Sequence, residues 1–249
     1  MLTAYNTQVR NLLQLPGAQS TSLYTDANIT AWINIARGQL AGRSGCIRNM
    51  GTIPTISGQQ SYNFSGINTG TGNGIQGIIN VRSMSYNLGG GQKFIPMRSF
   101  EWFTLYQLNN AVPVAGPPQN WSQFAQGAAP PPGGSALGGS FYLDPPPDTV
   151  YTLNCNATCY PIPLVDDTTI EAIPYLWTDA VPFFAAYYAL MSAQTNARMA
   201  DALQYYKMFN EFMDEARKAS NASTNRWMYD QAGDPVQAAK MGIQQSGAK

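Results

Sequence analysis

The chain has no histidine among its 249 residues. That absence removes Ser-His-Asp and Cys-His nucleophiles and every histidine-liganded metal centre from what one copy can assemble. Cysteine is scarce, at three residues, too few for a disulfide framework and too few for a zinc site that needs four ligands. The most apolar run, AVPFFAAYYALMSA at 180–193, contains two tyrosines. It falls short of the ~20 residues that span a bilayer and reads as a buried helix. No basic, apolar leader opens the chain: MLTAYNTQVRNLLQL is amphipathic, which argues against secretion and for a reducing compartment. The Asn-x-Ser/Thr triplets at Asn28, Asn63, Asn120, Asn156 and Asn221 therefore read as products of a composition rich in Asn, Ser and Thr rather than as glycan sites.

Cys155 and Cys159 stand in a run, Tyr151, Leu153, Cys155, Ala157, Cys159, that alternates with Thr152, Asn154, Asn156 and Thr158. A period of two marks a strand with one buried face. Four residues along a strand separate the two Cα atoms by roughly 13 Å, well beyond disulfide reach. Both thiols read as small core residues. The glycine-rich GINTGTGNGIQG at 66–77 lacks the lysine and the following helix of a phosphate loop, and reads as a hairpin loop. A carboxylate pair such as Asp166 with Glu171 could in principle hydrolyse a glycoside. Acids ahead of a helix more often cap or face solvent. No cofactor, metal or catalytic residue is expected.

Residues 3–15 and 26–43 look helical, the second capped by Thr25 or Asp26, with Ile29, Trp32, Ile33, Ala36 and Leu40 on one stripe. From Gly51 to about Asp166 the texture is Gly, Pro, Ser and alternating apolar residues: TIPTI, QSYNF, GIINVRSMSY, KFIPM and SFYL, broken by a helix at SFEWFTLYQL. Beyond it, Thr178 or Asp179 caps a helix to about Asn196 with Pro182 in its first turn. A further helix begins near Arg198, with Met199, Ala202, Leu203, Tyr206, Phe209, Met213 and Ala216 as its apolar stripe. The expected fold is α+β: a helical bundle built from both chain ends (1–50 and 167–220), an inserted β-rich domain, sandwich or barrel-like (51–166), and an extended C-terminal tail (221–249).

Net neutrality hides a segregation of charge. Residues 1–100 carry seven Lys/Arg and one acid, residues 101–197 seven acids and no Lys/Arg, and residues 198–249 seven basic and six acidic. Such a split suits one face complementary to another, within the fold or between copies. No basic cluster or recognition-helix signature marks a nucleic-acid reader.

The helix YTDANITAWINIARGQLAGR after a first short helix, the segment FYLDPPPDTVYTLNCNATCYPIP, and IPYLWTDAVPFFAAYYALMSAQ leading into ARMADALQYYKMFNEFMDEAR together resemble bacteriophage head-to-tail adaptor (connector) proteins, the ring-forming neck components. The resemblance covers most of residues 1–220 by pattern and order. It implies a structural virion protein assembled in the bacterial host cytoplasm. It also implies a twelve-copy ring under the portal protein, with a tail nozzle or tail-tube protein on the other side. DNA would pass without sequence-specific binding, and no membrane is involved. The C-terminal element would dock into the portal through Arg226, Trp227, Met228 and Tyr229, residue types that carry interface energy. The reading set against it is a virion carbohydrate-binding module or glycoside hydrolase, resting on fourteen tyrosines, five tryptophans and the acids Asp166, Asp167 and Glu171.

Overall fold

The computed structural model describes residues 1–15, 24–88, 90–109, 114–125, 127, 138–193 and 198–222. Helix α1 (Leu2–Leu12) buries Leu2, Tyr5 and Val9, an i, i+3, i+7 stripe. Helix α2 (Asp26–Ser44) begins at the Thr25 cap, whose hydroxyl oxygen accepts from the Asn28 N–H, and stops at Gly45, a left-handed residue with φ +64°. Its buried line, Ile29, Ile33, Ala36 and Leu40, follows the sequence stripe.

The chain then enters β1 (Arg48–Pro54), β2 (Ser61–Asn63), β3 (Ile75–Leu88), β4 (Gly91–Ile95), the helix α3 (Phe100–Asn109), β5 (Asn120–Ala125), β6 (Ser140–Asp144) and β7 (Thr152–Pro161). All pairings between these strands are antiparallel, in a four-stranded sheet of order β1-β7-β3-β4 and a three-stranded sheet of order β2-β6-β5. The last strand in sequence is thus central: Cys155 of β7 faces Gly51 on one side and Met84 on the other. The predicted alternation holds as far as Ala157, with Leu153, Cys155, Ala157 and Cys159 fully buried, and fails at Thr158, which is buried as well.

Helix α4 (Ala180–Ser192) packs against α1, α2 and α5 (Met199–Ala222). Phe184 lies 4.7 Å from Phe209 between ring centroids, and Tyr187 lies 4.8 Å from Tyr206. The α5 stripe is narrower than its sequence suggests. Ala202, Phe209 and Ala216, seven apart, are buried, whereas Met199 and Leu203 are exposed. At the start of α4, Asp179 makes no side-chain cap and the Thr178 hydroxyl donates to the Tyr175 carbonyl instead.

Three expectations are corrected. The helical bundle from both ends with an inserted sandwich or barrel-like domain is not the fold class observed. Among the described residues the protein is α+β with two antiparallel sheets and five α-helices, and α3 lies among the strands in the chain order. Among the described residues the buried apolar side chains other than Phe103 form one cluster, from Tyr5 and Ile33 through Leu153 and Ala157 to Phe141 and Trp121. The cause is the contact of α2 with β7: Gly38 approaches Tyr160 so closely that a Cβ there would sit 1.9 Å from its hydroxyl. A sheet with an apolar face must be covered, and the helices cover it as well as each other. Second, the glycine-rich segment after residue 66 is no hairpin loop, because β2 and β3 belong to different sheets. Third, β5 is a strand where no alternation marked one: Trp121 and Ser122 are adjacent and both buried. Tyr62 stacks on Phe141 at 5.3 Å within the smaller sheet, and Val81 of β3 donates its N–H to the Gln123 side chain across the two sheets.

Candidate interaction surface

Cys46, Cys155 and Cys159 are free and buried. Burial pushes Cys155 up to about 12 and Cys159 to about 11, so neither is a thiolate at neutral pH. Among the described residues no group of three or more His, Cys, Asp or Glu can hold a metal ion.

The two carboxylates considered for hydrolysis have structural occupations. Arg37, only 1% exposed, grips Glu171 with a fork: its Nε lies 3.0 Å from Oε2 and its terminal nitrogen 2.8 Å from Oε1. Oε1 also accepts from the Ile173 N–H at 2.9 Å, while Arg37 donates to the Ile162 carbonyl and the Asn34 side chain. Tyr5 stands beside this pair without a hydrogen bond of good geometry. Burial, then the Glu171 charge, drives its phenol far above the ordinary range. Asp166 is held below the usual carboxylate range by the Thr168 hydroxyl and then that of Thr169, the wrong direction for a general acid. Asp167 accepts from the Thr3 N–H at 2.9 Å and the Met1 amino terminus at 2.6 Å, and so caps α1; the amino terminus, then Thr3, depress it strongly.

Among the described residues at least two areas of the surface expose apolar side chains. The first is built on α3. Its inner face, Phe100 and Phe103, sits on the smaller sheet: Phe100 is 4.6 Å from Phe124 and 5.3 Å from Tyr142, and Phe103 is 5.7 Å from Tyr142. Its outer face carries Trp102 and Leu105, the latter 63% exposed, beside exposed Phe94, Met97 and Phe124. The Arg98 guanidinium rests on this area, 5.4 Å from the Trp102 ring, whereas Lys93 follows the opposite face of β4 from Phe94 and lies 5.8 Å from the ring of buried Tyr86. Glu101 is the acid on this face. The helix was legible in SFEWFTLYQL, but its aromatics occupy both faces, so periodicity could not say which would remain outside.

The second area is the segment between β7 and α4. Val165 is 75% and Tyr175 89% exposed, with exposed Ile170 and Leu176 between and after them. Asp166, Asp167 and Asp179 are exposed alongside. The segment is firmly tied down: the Ile162 N–H donates to the Gly74 carbonyl, Asn34 brackets Leu164 with two hydrogen bonds, and Arg37 holds Glu171. Exposed apolar groups on a fixed backbone mark interaction sites rather than loose ends.

Arg226, Trp227, Met228 and Tyr229 lie outside the described residues. No helix among the described residues is long and apolar enough to cross a membrane. No curated protein matches the chain. Residues 5–235 match the model of one family, SU10 adaptor protein, and the chain belongs to that family of structural phage adaptors.

Proposed function

We propose that the protein is the repeating subunit of a ring that joins the portal of a phage head to the tail and lets the genome through. The match of residues 5–235 to the SU10 adaptor protein family carries this reading. It is supported by the ion pair of Glu171 with Arg37, which commits one acid of the hydrolase alternative to folding. Twelve copies repeat one heterologous contact until it closes. A lumen that passes DNA must not hold phosphates, since every Lys or Arg contact adds salt-dependent affinity; charged residues are only 11% of this chain.

The tail at 221–249 docks into the portal, with Trp227 and Tyr229 as buried rings and Arg226 as the charged fork that offset the entropy of ordering it. The opposite face receives the tail nozzle or tube. The test is attachment: full-length protein mixed with purified portal and imaged by negative stain forms a ring on it, whereas a chain lacking residues 221–249 stays folded and does not attach. Unaltered attachment of the truncated chain removes the tail from the docking role, and no attachment of the full chain removes the portal as partner.

A further inference from the structure

The chain contains one Asn-Gly step, Asn73-Gly74. After an asparagine, glycine is the residue whose main-chain nitrogen is least shielded, because no side chain keeps that nitrogen away from the asparagine Cγ. The turn around the step adds to this freedom: Gly70, Gly72 and Gly74 stand at φ +82°, +74° and +70°. As unfolded chain, a stretch with glycine at every second place reaches the geometry in which the two atoms meet with little hindrance.

In the folded chain both groups are held. The Asn73 side-chain nitrogen donates to the Thr69 carbonyl at 2.7 Å, and the Asn73 Oδ1 accepts from the Ile75 N–H at 3.2 Å. Gly74 is buried, its carbonyl accepts from the Ile162 N–H at 2.8 Å, and Ile75 beside it pairs with Pro161. The segment 162–172 lies against Gly74 like a strap, so closely that a Cβ there would stand 2.6 Å from the Ile170 carbonyl oxygen and 3.2 Å from the Ala172 Cβ. The strap is anchored in turn: Asn34 brackets Leu164 with hydrogen bonds of 3.0 and 2.8 Å, and Arg37 donates to the Ile162 carbonyl at 2.7 Å. Bringing the Gly74 nitrogen onto the Asn73 Cγ breaks both bonds of the Asn73 amide and displaces Gly74, which has no room to shift while the strap is seated.

We propose that Asn73 is a site of spontaneous deamidation that the seated 162–172 strap holds in check. The Gly74 main-chain nitrogen gives up its proton to water and forms a bond to the Asn73 Cγ; the bond from Cγ to Nδ2 breaks, ammonia leaves and a succinimide ring closes. Water then adds to either ring carbonyl and opens it as aspartate or as isoaspartate, without oxidant or cofactor. Both products work against the strap. Aspartate has no N–H for the Thr69 carbonyl and sets a negative charge beside that oxygen, and isoaspartate also inserts a carbon into the main chain next to Gly74, whose slot has no spare room. The reaction involves neither a portal nor a second copy, so it stands apart from the ring reading.

Peptide mapping by mass spectrometry tests it, with methylation by an isoaspartyl O-methyltransferase as the probe for isoaspartate. The full chain is incubated under mildly alkaline conditions, folded in buffer and unfolded in urea. In urea Asn73 should be the first asparagine lost. In the folded chain its loss should be slower by about tenfold or more, the factor for a strap that is lifted roughly a tenth of the time or less. Asn34→Ala removes both bonds to Leu164 and should speed the folded reaction about threefold or more. Trp121→Phe lies in the smaller sheet, where the Trp121 N–H meets the Pro96 carbonyl just beyond β4, and should leave the rate unchanged even where urea titration shows an equal loss of stability. A folded rate within about twofold of the urea rate overturns the proposal, since the fold would then give no protection, as does loss of another asparagine ahead of Asn73 in urea. An unchanged rate in Asn34→Ala, or equal acceleration by both variants, removes the strap as the gate. The deamidated fraction, separated by its added negative charge, should melt several degrees below the parent, and an equal melt shows that the products leave the strap in place. Far-ultraviolet circular dichroism matching the unmodified chain establishes that each variant is folded.

Discussion

Replacing Glu171 by Gln probes the contact that ties α2 to the acidic segment. The carboxylate side chain is 11% exposed and its partner Arg37 1%. Gln keeps the volume and can still accept one hydrogen bond, and Arg37 keeps Asn34 and the Ile162 carbonyl, but the buried guanidinium loses its counter-charge. Breaking such a pair from one side costs ~3–5 kcal/mol, and the remaining partners place this case near about 3. For a chain of this length each kcal/mol moves the melting temperature by ~2–4 °C, so the fall should be roughly 6–12 °C. Thermal melts followed by circular dichroism, with urea titrations at unchanged slope, read it directly. Arg37→Met with Glu171→Leu should recover much of the loss, because an apolar pair of similar size no longer leaves a charge stranded. A Glu171→Gln melt within about 2 °C of the parent would refute the reasoning, since an exposed or catalytic carboxylate would behave that way.

Further outcomes follow from the same geometry. Gly74 has φ +70°, and a Cβ there would sit 2.6 Å from the Ile170 carbonyl oxygen. Gly74→Ala should therefore cost about 2–3 kcal/mol in urea titration, and a loss below about 0.5 would contradict it. The folded protein should resist a thiol reagent at pH 8 and yield three equivalents once unfolded, given its buried cysteines; one fast native equivalent would place a thiol at the surface. Asp167→Asn should lower stability at neutral pH. The carboxyl is depressed in the fold by the amino terminus and Thr3, so its contribution is complete above its unfolded value of about 4 and drains away as pH falls below that. The gap between parent and variant should narrow on acidification, and a gap that widens would reverse the sign of the argument.

Where one face of an element is buried, its period is visible in the sequence. The α2 stripe from Ile29 to Leu40, the Thr25 cap and the alternation through Cys155 appear in the structure as their spacing foretold. What was hidden depends on partners distant in the chain. Strand β5 is short, and Trp121 and Ser122 are buried on both faces, so no alternation betrays it. That helices and strands share one core follows from Gly38 meeting Tyr160, two residues that carry no mutual signal. The acids Asp166 and Glu171 were visible as acids, but the fork from Arg37 that commits one of them could be seen only once α2 lay beside the segment after β7. The exposed aromatics of α3 were legible as aromatic and not as exposed.

The position of β7 in the middle of the larger sheet sets a timetable for biosynthesis. Arg48 finds its partner in Thr158 and Val81 in Ala157, so β1, and the margin of β3 turned away from its hairpin with β4, leave the ribosome without their neighbour until the chain has nearly reached Pro161. Such distant pairing is slow and leaves bare strand margins while it waits. A host cell making this protein in quantity holds a pool of half-finished chains with open edges, and yield should respond to translation speed and chaperone supply more than to the strength of the finished sheet.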